Sequence, residues 1–387
     1  MDLIQVQVTT VDTELLKVVW SNTLTDFLPY FLDRKTVLEE SEKVREKLYS
    51  FINSVNLHGI ENSCTEYKDL AIAGRRLYDF IFLPEIDTIQ WANKVKEWLK
   101  TFKRPIKIHF TVDQRIQIPW GLVYESDPNE IEINSLKDAK QSDSNFWCDK
   151  YALTAIYRKI MPLSDEETVL PNDTQLFPTF NKSVFDNNIS KLIHPEKECL
   201  ESIVNKFTTS KNPIFTSVDF WSQCEKKKKT PLFFYFCCHA RENNLELGVT
   251  DMISVNDLKL KFNSILTEND VALLFVNGCS TAVGHKKGGF IEASSQKGLY
   301  GFIGSETKIP DHFAFRFGID FLSHFFYSGM TICELMQLLR KKHWPISLAY
   351  GVYCYPMLKI GKKPIMDQYL STIENNLSHE RLGSDEL

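Results

Sequence analysis

Pro231 to Ala240, PLFFYFCCHA, and Val271 to Ala282, VALLFVNGCSTA, decide how this chain folds. Each holds an apolar run of about six residues without polar alternation, the pattern of a strand covered on both faces of a parallel sheet. The polar segment between them is long enough for a crossover. It contains Ser254-Val255-Asn256-Asp257, a capping box that opens a helix through Phe262. Parallel strands need such a connection, and it is right-handed almost without exception. Both runs therefore end at one edge of the sheet, where open α/β sheets place their chemistry. His239 and Cys279 are predicted to face each other there.

That pair suits nucleophilic catalysis. A free thiol has a pKa of about 8.5, so little of it is thiolate at neutral pH. A neighbouring imidazole raises that fraction and later protonates a leaving amine. The backbone N–H groups of Cys279 and Ala240 are candidate donors to the developing oxyanion. Gly278 permits a tight turn before the thiol. The plainer reading stands beside this one: a cysteine ending an apolar strand is commonly a small buried hydrophobe. Cys237 and Cys238 beside His239 raise the question of zinc. Strand neighbours point to opposite faces, so at most three ligands converge, without paired CxxC spacing. No metal and no cofactor is expected, and Cys237 and Cys238 are read as core.

The bulk properties narrow the class. With 387 residues, 43% of them hydrophobic, the chain supports one large or two ordinary domains. A formal net charge of −5 argues against whole-molecule attraction to nucleic acid. The opening MDLIQVQVTTVDTELL lacks a basic start and apolar core, so no secretory leader is expected. No apolar run approaches membrane-spanning length. Nine scattered cysteines read as reduced thiols in a cytoplasm rather than a disulfide frame. The final Ser384-Asp385-Glu386-Leu387 loosely echoes an ER-retention tail, read as coincidence in a chain without a leader.

Working outward, residues 1–60 read as mixed and then helical, with Val37, Leu38, Val44, Leu48 and Phe51 on a 3.6 period. Asp69–Phe82 and Ile86–Phe102 read as further helices. Ile106–Phe110 alternates like a strand with one wet face. Trp120 and Tyr124 are expected beneath the sheet, and Phe146–Tyr157 as a strand. Pro162–Asn188 reads as a long exposed connection open to proteolysis. Pro195–Phe207 and Val218–Cys224 read as helices. Lys226–Lys229 reads as a solvated loop guarding a sheet edge. Leu299–Ile303 is a third buried strand, Asp311–Tyr327 an apolar helix, and Leu348–Tyr355 a last strand. Thr331-Ile332-Cys333-Glu334 is a second capping box, opening a helix to His343. The tail from Ser371 is polar.

Several stretches together resemble a known family. IPWGLVYES (Ile118–Ser126) is similar to the Pro-Trp-Glu-Leu-Leu signature of CHAT domains, caspase-like cysteine peptidases in the group of caspases, separases and gingipains. AGRRLYDFIFLP (Ala73–Pro84) resembles the helix before that signature. FYFCCHA (Phe234–Ala240) and LLFVNGCSTAVG (Leu273–Gly284) resemble the strands ending in the family's histidine and nucleophile. ELGVTDMISVNDL (Glu246–Leu258) is like its small hairpin and helix, and Phe302–Leu335 like its closing stretch. Order and spacing carry the likeness over roughly Leu70–Ile360. It implies an α/β fold, a caspase-like, mostly parallel sheet flanked by helices. Residues 1–69 would be a helical accessory region and 70–190 a degenerate caspase-like half. The active half would be 191–370 and a tail 371–387. It implies His239 as general base and acid and Cys279 as nucleophile of a cysteine endopeptidase. Family members often act in bacterial defence on a protein partner such as a pore-forming gasdermin. An upstream activating protein is a further implied partner. The sequence departs from the family at Ala240, commonly Gly, and at Ser280, commonly Glu.

For specificity, Asp311 is read either as a carboxylate receiving Lys or Arg before the scissile bond or as the N-cap of the helix at His312. Glu306 in the same loop is equally a candidate, and Phe313 could line an apolar pocket instead. Two readings compete with a peptidase: a catalytically silent scaffold binding a partner through the same cleft, and a metal-dependent hydrolase.

Overall fold

The computed structural model describes residues 3–82, 88–102, 106–113, 116–131, 136, 144–157, 168–170, 173–227, 231–241, 243–267, 270–282, 289–293, 298–355 and 357–360. Most of the 158–172 stretch, Lys228, Lys229 and the tail from Ser371 lie outside them. In chain order the elements begin with β1 (Leu3–Thr10), β2 (Leu15–Ser21), β3 (Tyr30–Asp33), α1 (Arg34–His58), α2 (Cys64–Phe82) and α3 (Ile89–Lys100). β4 (Lys107–Val112), α4 (Trp147–Lys150), β5 (Ala152–Tyr157) and β6 (Thr168–Leu170) follow. Then come β7 (Gln175–Phe180), α5 (Lys182–Ile189), α6 (His194–Phe207), α7 (Ser217–Glu225) and β8 (Leu232–Cys237). β9 (His239–Arg241), β10 (Asn244–Glu246), β11 (Met252–Ser254), α8 (Val255–Ile265) and β12 (Ala272–Asn277) continue the chain. It closes with α9 (Phe290–Ala293), β13 (Leu299–Ser305), α10 (Asp311–Tyr327), α11 (Ile332–Lys342), β14 (Tyr350–Cys354) and β15 (Leu358–Ile360).

Two five-stranded sheets flanked by helices carry this α/β architecture. The first has the order β3-β2-β1-β4-β5, with β1, β4 and β5 parallel. The second has the order β14-β13-β12-β8-β7, parallel except for β14. β14 lies against β5, which brings the sheets together. β8 and β12 are adjacent and parallel, as the apolar runs predict. Phe234, Phe236, Leu274 and Val276 face one core, and Phe233, Tyr235, Leu273 and Phe275 the other. Burying each such side chain is worth about 1.5–3 kcal/mol. Both capping boxes form, at Ser254/Asp257 and Thr331/Glu334.

Four readings need correction. Residues 1–69 are not only helical, since β1–β3 build part of the first sheet. β4 has no wet face: all six of its residues are buried, because it lies between β1 and β5. Phe146–Tyr157 begins as the short helix α4 and becomes strand only at Ala152. The Pro162–Asn188 connection is not uniformly exposed, because it contains β7, wholly buried and paired with β8, and α5. The second sheet therefore starts by Gln175, upstream of the expected break at residue 190. Among the described residues no helix is long and apolar enough to cross a membrane.

Candidate active site

Cys237 and Asn277 are the last paired residues of β8 and β12, and they stand opposite one another. His239 and Cys279 each follow two positions later. A Cβ on Gly278 would lie 2.6 Å from the Cys238 carbonyl oxygen and 3.4 Å from Ala240 Cβ. Glycine is thus required for close approach of the two segments. The left-handed turn falls instead on Ser280, whose φ is 53°, a conformation that non-glycine residues adopt at some cost.

Hydroxyls and carbonyls hold that turn. Ser305 Oγ donates to the Gly278 carbonyl at 2.5 Å, and Thr281 Oγ1 donates to the Val276 carbonyl at 2.9 Å. The N–H groups of Ser280 and Ala282 donate to the carbonyls of Thr307 and Ser305, each at 2.8 Å. In a trans peptide the N–H opposes the C=O. With the Gly278 carbonyl turned onto Ser305, the Cys279 N–H points the other way, and it has no acceptor among the described residues. Ala240, the second proposed oxyanion donor, sits in β9 opposite Leu245. Asn181 braces the histidine side: its N–H donates to the Cys237 carbonyl and its amide to the Glu246 carbonyl.

Asp311 opens α10, and its carboxylate lies 3.6 Å from His239 Nδ1, both side chains being half-exposed. It does not cap the helix: Pro310 occupies the cap position, and no side chain accepts there. The half-buried Cys279 thiol donates to the Ile309 carbonyl at 3.7 Å. Burial pushes this thiol above its ordinary value, and the Asp311 charge adds to the shift, against the Ile309 contact and Lys308. A small, narrow pocket borders the sulfur, lined among others by Val184, Cys237, Asn277, Ile309 and Asp311.

Other predicted residues go elsewhere. Glu306 is buried; it accepts from Arg45 Nε at 3.0 Å and from the Tyr353 hydroxyl, away from the thiol pocket. Phe313 packs on Phe317, His343 and Tyr350. Cys237 and Cys238 are buried in opposite cores. Among the described residues no three His, Cys, Asp or Glu side chains form a group able to hold a metal.

The sequence reading missed a buried scaffold beneath the pair. Asn277 Nδ2 donates to the Ala314 carbonyl at 2.6 Å and to the Tyr235 hydroxyl at 3.1 Å, and its oxygen accepts from the Tyr350 hydroxyl at 2.7 Å. One side chain thereby ties β12, β8, β14 and α10 together just before the thiol. An asparagine ending an otherwise apolar run was the available signal, since a buried amide demands partners.

No family model matches this chain, and no curated protein does. Among solved structures it is similar to the Saccharomyces cerevisiae separase in its complex with securin, at 13% identity and a TM-score of 0.41. That alignment covers 85% of this chain and 23% of the separase chain. It is also similar to Porphyromonas gingivalis RgpB in the complex of its pro- and mature domains, at 10% identity and a TM-score of 0.40. Here 85% of this chain and 78% of the other are covered. Both scores lie below one half, so the fold description rests on the strand order itself.

Proposed function

We propose that this protein is a cysteine endopeptidase that uses His239 and Cys279 on a protein partner. One observation carries the reading: the two residues emerge two positions beyond facing ends of adjacent parallel strands, at a half-exposed rim. The imidazole takes the thiol proton as sulfur bonds to the scissile carbonyl carbon, whose π electrons move to oxygen. The Cys279 N–H stabilises that oxyanion. Collapse expels the amine, which takes its proton from His239, and water then hydrolyses the thioester. Asp311 is the carboxylate in the pocket beside the sulfur, which suits a Lys or Arg side chain before the scissile bond. Glu306, committed to Arg45, has no part in that pocket. With the CHAT-like motifs, the reading extends to a cytoplasmic protease of bacterial defence. Its substrate would be a gasdermin-like pore former, and an upstream protein would activate it.

The test is co-expression with neighbouring gene products. A specific fragment is expected to form, and Cys279→Ala to lower its yield by about 1,000-fold or more; undiminished cutting defeats the proposal. One observation favours the silent-scaffold reading: the thiol is directed at the Ile309 carbonyl, and burial works against its ionisation. Cys279 inert to thiol reagents, alone and in an activated complex, would decide for it.

A further inference from the structure

Residues 305–311 form a strap whose contacts alternate in direction. The odd-numbered residues meet the catalytic turn. The Ser305, Thr307 and Ile309 carbonyls accept from Ala282 N–H, Ser280 N–H and the Cys279 thiol, and Asp311 faces His239. Glu306 and Lys308 meet α1, which packs in the other half of the molecule. Glu306 accepts from Arg45, and the Lys308 ammonium lies 5.5 Å from the ring centre of Tyr49. The chain bends at Glu306 and Thr307, and Arg45 and Tyr49, four apart, share one helix face.

The α1 anchor is firm. Besides Glu306, the Arg45 guanidinium donates to Glu42 at 2.7 Å and to the Gln117 carbonyl at 3.1 Å. Arg45 and Glu306 are each about 5% exposed or less, so losing either leaves the other charge buried and unpaired.

We infer that Arg45 and Tyr49, acting through Glu306 and Lys308, are positioning residues that set where the strap holds Ile309 and Asp311 against Cys279 and His239. The inference takes Cys279 as the nucleophile of the reading above, and it makes α1 part of the site's construction. The charged and titratable groups that act on the sulfur are Asp311 and Lys308 from the strap and helix start, Cys238 from the end of β8 and Tyr350 from β14, while His239 meets Asp311. Of these, the strap carries Lys308 and leads directly into Asp311.

The test follows alkylation of Cys279 by iodoacetamide across neutral and alkaline pH. A Cys64→Ser background is used, because Cys64 and Cys279 are the only cysteines not buried. In Arg45→Met the strap withdraws. The midpoint of the profile then moves down by about half a unit, and the rate at neutral pH rises about threefold. Arg45→Met/Glu306→Leu removes both buried charges and shows the same displacement. Tyr49→Ala, a half-exposed change that leaves the core intact, moves the profile the same way by less. Lys35→Ala, on the exposed start of α1, leaves it in place. Profiles superimposable on that of the parent in cooperatively unfolding variants, or an equal shift in Lys35→Ala, overturn the inference. If the peptidase reading fails instead, these profiles still separate while no Cys279-dependent fragment forms.

Discussion

At the scale of single residues, Asp311 is the carboxylate that touches both members of the candidate site. Its carboxylate stands beside His239 and raises the Cys279 thiol together with burial. Removing a negative charge favours the thiolate. Asp311→Asn is therefore expected to move the alkylation profile of Cys279 to lower pH and to speed labelling at neutral pH several-fold. The same variant should abolish any preference for Lys or Arg in peptide-library cleavage. An unchanged profile would remove Asp311 from the vicinity of the sulfur. The strand ends before His239 and Cys279 were legible because an apolar run that stops at a polar or reactive residue marks a strand end. For Asp311 the sequence left two readings, a pocket carboxylate and a helix cap. The proline before it occupies the cap position and leaves the carboxylate beside His239, a contact that no local pattern announced.

Among elements, the seat of α10 on the second sheet decides where Asp311 stands relative to His239 and Cys279. That seat depends on Gly318, where a Cβ would stand 1.9 Å from the Tyr235 hydroxyl and 2.7 Å from Asn277 Nδ2. Gly318→Ala gains helix propensity but overpacks a hydrogen-bonded core, at about 1–3 kcal/mol. Its melting temperature should fall by several degrees, and any Cys279-dependent cleavage should drop further than stability alone explains. A variant matching the parent in both would show that α10 is not seated this way. β8, β12, β13, α8 and α11 could be read because buried parallel strands and capped helices carry strong local patterns. β7 could not, because Pro178 interrupts it. The proline is tolerated since β7 is the border strand of its sheet, and Pro178 still accepts there from the Ile214 N–H. β1, LIQVQVTT, does alternate buried with half-buried residues, a period of two that the reading of residues 1–60 passed over.

The whole molecule is joined across its two sheets by buried polar contacts. Arg45 reaches Glu306, Arg340 donates to the Cys148 and Tyr350 carbonyls, and the Cys333 thiol reaches the Ala152 carbonyl. Such contacts leave no periodicity in the sequence, so they were not legible there. The buried thiols also set a pH limit. Burial pushes Cys199 up to about 11 and Cys237 and Cys333 up to about 12, against about 8.5 in an unfolded chain. A folded-state value raised in this way contributes stability in full below about pH 8.5. It is lost as pH climbs toward the folded values, by about 1.4 kcal/mol per pH unit for each thiol. Melting temperature should hold steady through neutral pH and fall continuously on the alkaline side; a flat alkaline limb would mean that these thiols are open to water. Seven of the nine sulfurs are buried in this way, while Cys279 is not. Mild peroxide would therefore reach Cys279 and Cys64 before the core thiols, converting them to sulfenic acids. Oxidative stress would silence such an enzyme while leaving its fold standing, and a reductant could restore it.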